Sequence, residues 1–204
     1  YYGELEDVPF VVTNTETLEL DYEGADREQR TTYDGGGGIP LGGRARRALF
    51  AWRYSDINLL ISGLIGPDSR IMIHRQIEDR IAKAAPFLTL DADPYLAVDE
   101  GRLVWIHDAY TTTGNYPYSQ AVSLAAATDG ALGGSVNYIR NSVKFVIDAY
   151  QGTTTAYLAD ADDPIAATYA RIFPSLFKPL DQMPADIRQH VRYPEDIFGV
   201  QARV

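Results

Sequence analysis

Residues 93–119, DPYLAVDEGRLVWIHDAYTTTGNYPYS, decide the fold. Two runs rich in β-branched and aromatic residues, Tyr95 to Val98 and Leu103 to Ala109, flank the short turn Asp99-Glu100-Gly101-Arg102. A Gly-containing turn between such runs predicts a β-hairpin. Side chains alternate along a strand. Leu103, Trp105 and His107 therefore share one face of the second strand, and Val104, Ile106 and Asp108 share the other. The polar, aromatic, Pro-containing segment that follows reads as an ordered loop.

A second stretch echoes the first. In KFVIDAYQGTTTAYLAD, residues 144–160, an apolar strand again ends in Asp-Ala-Tyr. The turn at Gln151-Gly152 then leads into Thr153 to Leu158. The echo is too short for a solenoid repeat. Two paired hairpins predict a four-stranded antiparallel sheet.

Working outward toward the N-terminus, strands are expected at Phe10 to Thr13 and Thr17 to Tyr22, with loop from Gly24 to Pro40. The run Gly35 to Gly38 precedes a basic helix expected over 44–61. Gly-rich turns before helices can cradle phosphate. Here neither a Gly-Lys-Ser/Thr ending nor a G-x-G-x-x-G start is present. Arg44, Arg46 and Arg47 lie near the helix start, where cations oppose the helix dipole, so an anionic partner is one reading. Solvated arginines beside a flexible loop are the plainer one.

The helix carries two apolar rows, Ala45/Ala48/Leu49/Trp52 and Phe50/Tyr54/Ile57/Ile61. A helix apolar on two sides is expected to be buried between layers or covered by another chain. A second helix is expected over 70–85, capped by Asp68 or Ser69 and stopped by Pro86, with Arg75–Asp79 and Asp79–Lys83 as ion pairs on its outer face. Residues 123–135 read as a variable insertion. Asp163-Pro164 starts a helix through Ile172, and a short helix lies within MPADIRQHV. The last segment, RYPEDIFGVQARV, is expected to leave the domain, its end cut within an element.

The whole reads as one α+β domain over 1–204: an antiparallel sheet from two β-hairpins, with helices packed against it. The net charge of −10 is unevenly spread. Tyr1 to Asp34 carries net −8, Arg44 to Lys83 net +4, and the chain from Asp91 onward net −6. An acidic surface argues against nucleic acid as a partner. There is no cysteine, so disulfides and thiol chemistry are excluded. No window reaches the roughly 18 apolar residues of a membrane helix. The acidic start is no signal peptide and lacks a Met, which suggests a piece of a longer protein.

Chemical motifs are sparse. His74, His107 and His190 lack zinc-ligand spacing, and no G-x-S-x-G elbow occurs. His107 and Asp108 point to opposite faces and form no dyad alone. The clusters at Asp91/Asp93 and Asp160/Asp162/Asp163 could supply calcium ligands, although turn and capping roles explain them equally. No catalytic residue, metal or cofactor is assigned. The candidate binding residues are Arg44 and Arg47 for an anion, and Trp105, Tyr116 and Tyr118 for an aromatic groove.

Several long strings look familiar together: RRALFAWRYSDINLL, DSRIMIHRQIEDRIAKAAPFLTLDADPYLAV, GRLVWIHDAYTTTGNYPYS, NYIRNSVKFVIDAYQGTT and IFPSLFKPLDQMPADIRQHVRYPEDIF. They resemble the large soluble region of an uncharacterised, UPF-labelled bacterial family of multi-pass membrane proteins. The resemblance implies membrane helices elsewhere in the parent and a hydrophilic region outside the cytoplasm. It carries over no catalytic residue. The expected role is non-catalytic binding or assembly at the cell envelope. The partners would be the remaining parts of the parent and an envelope ligand, and the membrane would be met only through the missing helices. Two alternatives are a hydrolase of envelope polymer or lipid using acids such as Asp93, Asp108 or Asp148, and a ligand-binding accessory domain of a transporter.

Overall fold

The computed structural model describes residues 1–4, 8–23 and 28–203. These residues gather into two compact units. Unit 1 comprises residues 1–76 with Tyr150–Gly152, and unit 2 comprises 77–149 with 153–204. Both mix helices with antiparallel strands, so the fold class is α+β, as expected.

Unit 1 contains β1 (Phe10–Thr15), β2 (Glu19–Glu23), β3 (Glu28–Thr31), β4 (Ile39–Pro40), α1 (Arg44–Tyr54), α2 (Asn58–Ile61) and β5 (Ile65–Ile73). Its sheet has the order β1-β5-β4, and β2 pairs separately with β3. The expected loop over 24–40 thus contains β3 and β4, and residues 24–27 lie outside the described set. The expected helix over 44–61 is broken. Ser55 adopts φ 54°, and its N–H turns back onto the carbonyls of Ala51 and Trp52.

The expected helix over 70–85 is half wrong. Residues 70–73 are strand, and helix begins only at Ile77. The reason is alternation. Ile71 and Ile73 pack with Leu41, Ala51, Leu59 and Ile65, while Met72 packs on the other side with Tyr2 and Tyr33. Ser69 is no helix cap. Its hydroxyl accepts from the Gly66 N–H at 2.9 Å and donates to the Asn14 carbonyl at 2.7 Å. Opposite β1 the register shifts at Asn14, and Gly66–Ser69 lie between the pairs Thr15–Ile65 and Thr13–Arg70, an irregularity that accommodates Pro67 with its missing N–H.

Unit 2 holds α3 (Ile77–Ala84), β6 (Thr89–Leu90), β7 (Tyr95–Asp99), β8 (Arg102–Thr113), β9 (Val122–Ser123), α4 (Leu124–Ala127), β10 (Ser135–Val136), β11 (Tyr138–Asp148), β12 (Thr154–Leu158), α5 (Pro164–Ile172), β13 (Phe177–Pro179), a 3-10 turn (Leu180–Gln182), α6 (Ala185–Gln189) and α7 (Glu195–Arg203). Both hairpins form as expected. Glu100 and Gly101 take positive φ at the first turn. Strand β8 pairs antiparallel with β7, β6 and β11, and β11 pairs with β12. Strand β13 adds a parallel edge to β12.

One sheet face, with Ala109, Val143, Phe145, Ile147 and Ala156, packs on α3 through Ile77 and Ile81. The other face packs Val104, Ile106 and Val146 against Met183 and Ile187. At its far end Tyr110 meets Leu124, Ala127 and Leu132, together with Ile197 and Val200 of α7. The 123–135 segment contributes Leu124, Ala127 and Leu132 to this core. One expectation is corrected here: the C-terminal segment packs onto the unit through α7 instead of leaving it.

Candidate functional site

Unit 2 buries the charged residues Asp91, Asp108, Lys144 and Asp163 in and beside the central strands. The register places Lys144 directly across from Asp108, and both are almost fully buried. The Lys144 ammonium is bonded to Asp108 Oδ1, which also accepts from Asn141 Nδ2 at 3.1 Å. Beside them Asp91 accepts from the Tyr110 hydroxyl. Burial first, then this carboxylate, raise the Tyr110 phenol. On the opposite face the ring of His107 lies with Nε2 2.8 Å from the Asp91 carbonyl oxygen. Its Nδ1 has no hydrogen-bond partner among the described residues.

A third buried carboxylate, Asp163, caps α5 by accepting from the Ile165 N–H at 3.0 Å. Tyr138 donates to Oδ1 at 2.6 Å, and Ser142 donates to Oδ2 at 2.5 Å, with Thr111 also donating there. Burial alone pushes this carboxyl up, but the donors outweigh it and hold it below the usual carboxylate range. At the rim, Arg192 pairs with Asp93 and lies 4.1 Å over the Tyr95 ring. Burial chiefly pushes Tyr95 up to about 12. These carboxylates are occupied by a lysine, an arginine or hydroxyl donors. Among the described residues no group of three or more His, Asp or Glu side chains is arranged to hold a metal.

The candidate binding residues do not converge. Trp105 sits near the start of β8 and packs on the α3 side of the sheet. Tyr116 and Tyr118 follow the strand's far end, about 25 Å along it at a rise of ~3.3 Å per residue. Tyr116 stacks on Tyr138 with ring centroids 4.9 Å apart, and Tyr118 is fully exposed with φ 59°. In unit 1 the Arg47 guanidinium is held by the carbonyls of Leu41, Ile65 and Gly66. Arg44 is exposed at the start of α1.

The glycine run has the wrong polarity for a phosphate cradle. Arg70 is bonded by the carbonyl oxygens of Gly36, Gly37 and Gly38, so the run presents acceptors inward to a cation. A Cβ on Gly37 would lie 2.3 Å from the Gln151 carbonyl oxygen, which explains why the run must be glycine there.

The sequence left open whether the two apolar rows of α1 are buried between layers or covered by another chain, and the structure divides them. From one row, Phe50 and Tyr54 turn inward beside Ala51. The other row faces outward, with Leu49 64% and Trp52 82% exposed. Downstream, Ile57 and Ile61 are 59% and 67% exposed, and Leu60 and Leu64 are exposed as well. An open hollow of about 490 Å³ at the helix start is lined by Pro40, Gly42, Gly43, Ala45, Arg46 and Leu49. The sequence held no signal for the choice, because at 3.6 residues per turn arginines flank both apolar rows.

Residues 1–204 match the profile described as "Uncharacterised protein family (UPF0182)" along their whole length. The chain belongs to UPF0182. A UPF0182 protein of Bradyrhizobium diazoefficiens is 49% identical over 204 residues, which are all of this chain and 21% of that relative. A UPF0182 protein of Cupriavidus necator is 48% identical with the same coverage. One from Methanospirillum hungatei is 45% identical and extends UPF0182 beyond bacteria, to which the sequence reading had confined it. The chain spans about a fifth of the length of these curated relatives. No solved structure matches it. No helix among its described residues is long and apolar enough to cross a membrane. In this UPF0182 chain, the buried charges are paired within the fold, and the α1–α2 row and the tyrosine loop are among the apolar and aromatic features that face outward.

Proposed function

We propose that this chain is an extracytoplasmic, non-catalytic binding or assembly domain of a longer membrane protein at the cell envelope. The observation that carries the reading is the outward apolar row on α1, with Trp52 82% exposed. Neighbouring large apolar side chains left in water mark an interaction surface. The relatives' greater length supplies candidates for what covers it. Arg44 borders this surface and is proposed to take part in it. Tyr116 and Tyr118 are proposed as a separate ligand-contacting loop. Arg47 and Trp105 would support these surfaces from within.

The chain's lack of cysteine makes the test clean. Trp52→Cys and Tyr118→Cys are placed singly in a cysteine-free version of the longer protein and labelled in intact cells with a membrane-impermeant maleimide. The reading expects Tyr118→Cys to label from outside. It expects Trp52→Cys to be protected until detergent is added. Equal labelling of both sites in intact cells removes the assembly surface. Absence of labelling at Tyr118→Cys before permeabilisation removes the extracytoplasmic location.

A further inference from the structure

We infer that the outward face of α1 seats on an anionic lipid surface. The inference rests on the reading of this face as a binding surface and names its occupant.

The face has the layout of an interfacial helix. Ala45, Ala48, Leu49 and Trp52 recur at i, i+3, i+4 and i+7 and are all exposed. At 3.6 residues per turn, Arg44 borders this row on one side. Arg46 and Arg53, themselves one heptad apart, border it on the other. All three arginines are exposed. Arg46 reaches the Pro40 carbonyl at 2.6 Å, and the Arg53 guanidinium lies 5.5 Å from the Tyr54 ring centroid. An apolar strip with Trp and Leu, flanked by long cationic side chains, matches the boundary between acyl chains and anionic headgroups. The strip enters the acyl edge, the indole sits at headgroup level, and the guanidinia reach outward to phosphate.

Charge selects the occupant. From Arg44 to Leu64 there are four arginines and one acid, Asp56, within a chain of net charge −10. The net charge of these 204 residues is repelled by an anionic bilayer, and this segment is attracted. A bilayer supplies both partners at once, an apolar edge for the strip and phosphates for the flanking arginines.

The test is sedimentation of the 204-residue chain with large vesicles of phosphatidylcholine, either alone or mixed with phosphatidylglycerol. Trp52 emission is read in a Trp105→Phe background. Binding is expected to the anionic vesicles, with a blue shift of Trp52. It should weaken at high salt and be much poorer on pure phosphatidylcholine. Each charge near such a surface is worth roughly fivefold in partitioning, so Arg44→Gln with Arg53→Gln should reduce it about 25-fold. Leu49→Ser with Trp52→Ser should abolish it. These side chains are exposed, so circular dichroism should show the fold unchanged. Failure to sediment with anionic vesicles overturns the inference, as does binding indifferent to these substitutions or equal on neutral vesicles. If Trp52→Cys is nonetheless protected in cells, a protein covers the face. The assembly reading then stands without the lipid.

Discussion

Asp108 and Lys144 form a buried pair whose value lies in its completeness. Neither is exposed enough for water to take over if its partner is lost. Lys144→Met leaves the Asp108 carboxylate uncompensated and is expected to cost about 3–5 kcal/mol. The shift would be read as the midpoint of urea unfolding, and adding Asp108→Leu should recover most of it. Asp163 governs the acid side. Its folded-state pKa lies below the unfolded value of about 3.9. The stability it contributes is therefore fully present above that value and is lost as pH falls through the folded pKa. Asparagine caps helices as well as aspartate does, so Asp163→Asn keeps the cap and removes the charge. Its unfolding free energy should fall less steeply below about pH 4 than that of the parent chain. The sequence pointed to Asp163 as a helix cap beside Pro164. It could not show Ser142 and Thr111 converging on it, because those contacts cross 21 and 52 residues.

At the level of elements, the hairpins were legible because turn chemistry and period-two alternation agree over 95–109 and 144–158. The α1 helix was legible too, but not the direction in which its two rows face, since periodicity alone does not say which side meets the core. Strand β5 was misread because Ile71, His74 and Ile77 also satisfy helical spacing. The deciding fact is that Ile71 and Met72 enter cores on opposite sides, and this depends on β1 and on Tyr33, which are distant in sequence. Strand β5 also carries the anchor of the glycine run. Arg70→Met removes the donor shared by three glycine carbonyls and is expected to cost about 2 kcal/mol, the range for a charged hydrogen-bond donor. Hydrogen exchange at Gly36–Ile39 should accelerate in that variant, while exchange in β11 should stay unchanged.

The molecule as a whole has separate cores in its two units, so unfolding need not be a single event. The calorimetric enthalpy is expected to exceed the van't Hoff value. Gly152 tests the assignment of the hairpin tip to unit 1. It sits at φ +71°, and an added Cβ would lie 2.4 Å from the Tyr2 ring. Gly152→Ala should lower the transition of unit 1 by several degrees and leave that of unit 2 in place. If both transitions move together, the two units unfold as one. The sequence offered no sign of this division. The three residues that complete unit 1 lie in the turn of a hairpin whose strands belong to unit 2.

That placement has a consequence for the order in which the protein can be made. Tyr150 closes an aromatic cluster with Tyr1 and Tyr33, with centroids 5.3 and 4.8 Å away, and its hydroxyl donates to Asp34 at 2.8 Å. The hydrogen-bonded pair lies 116 residues apart. At a ribosomal rate of roughly 5–20 residues per second, about 6–23 s pass between the synthesis of Asp34 and that of its partner. Through that interval the N-terminal unit waits unfinished, its tyrosines open to chaperones, and the ribosome has translated most of the second hairpin before the first unit can close.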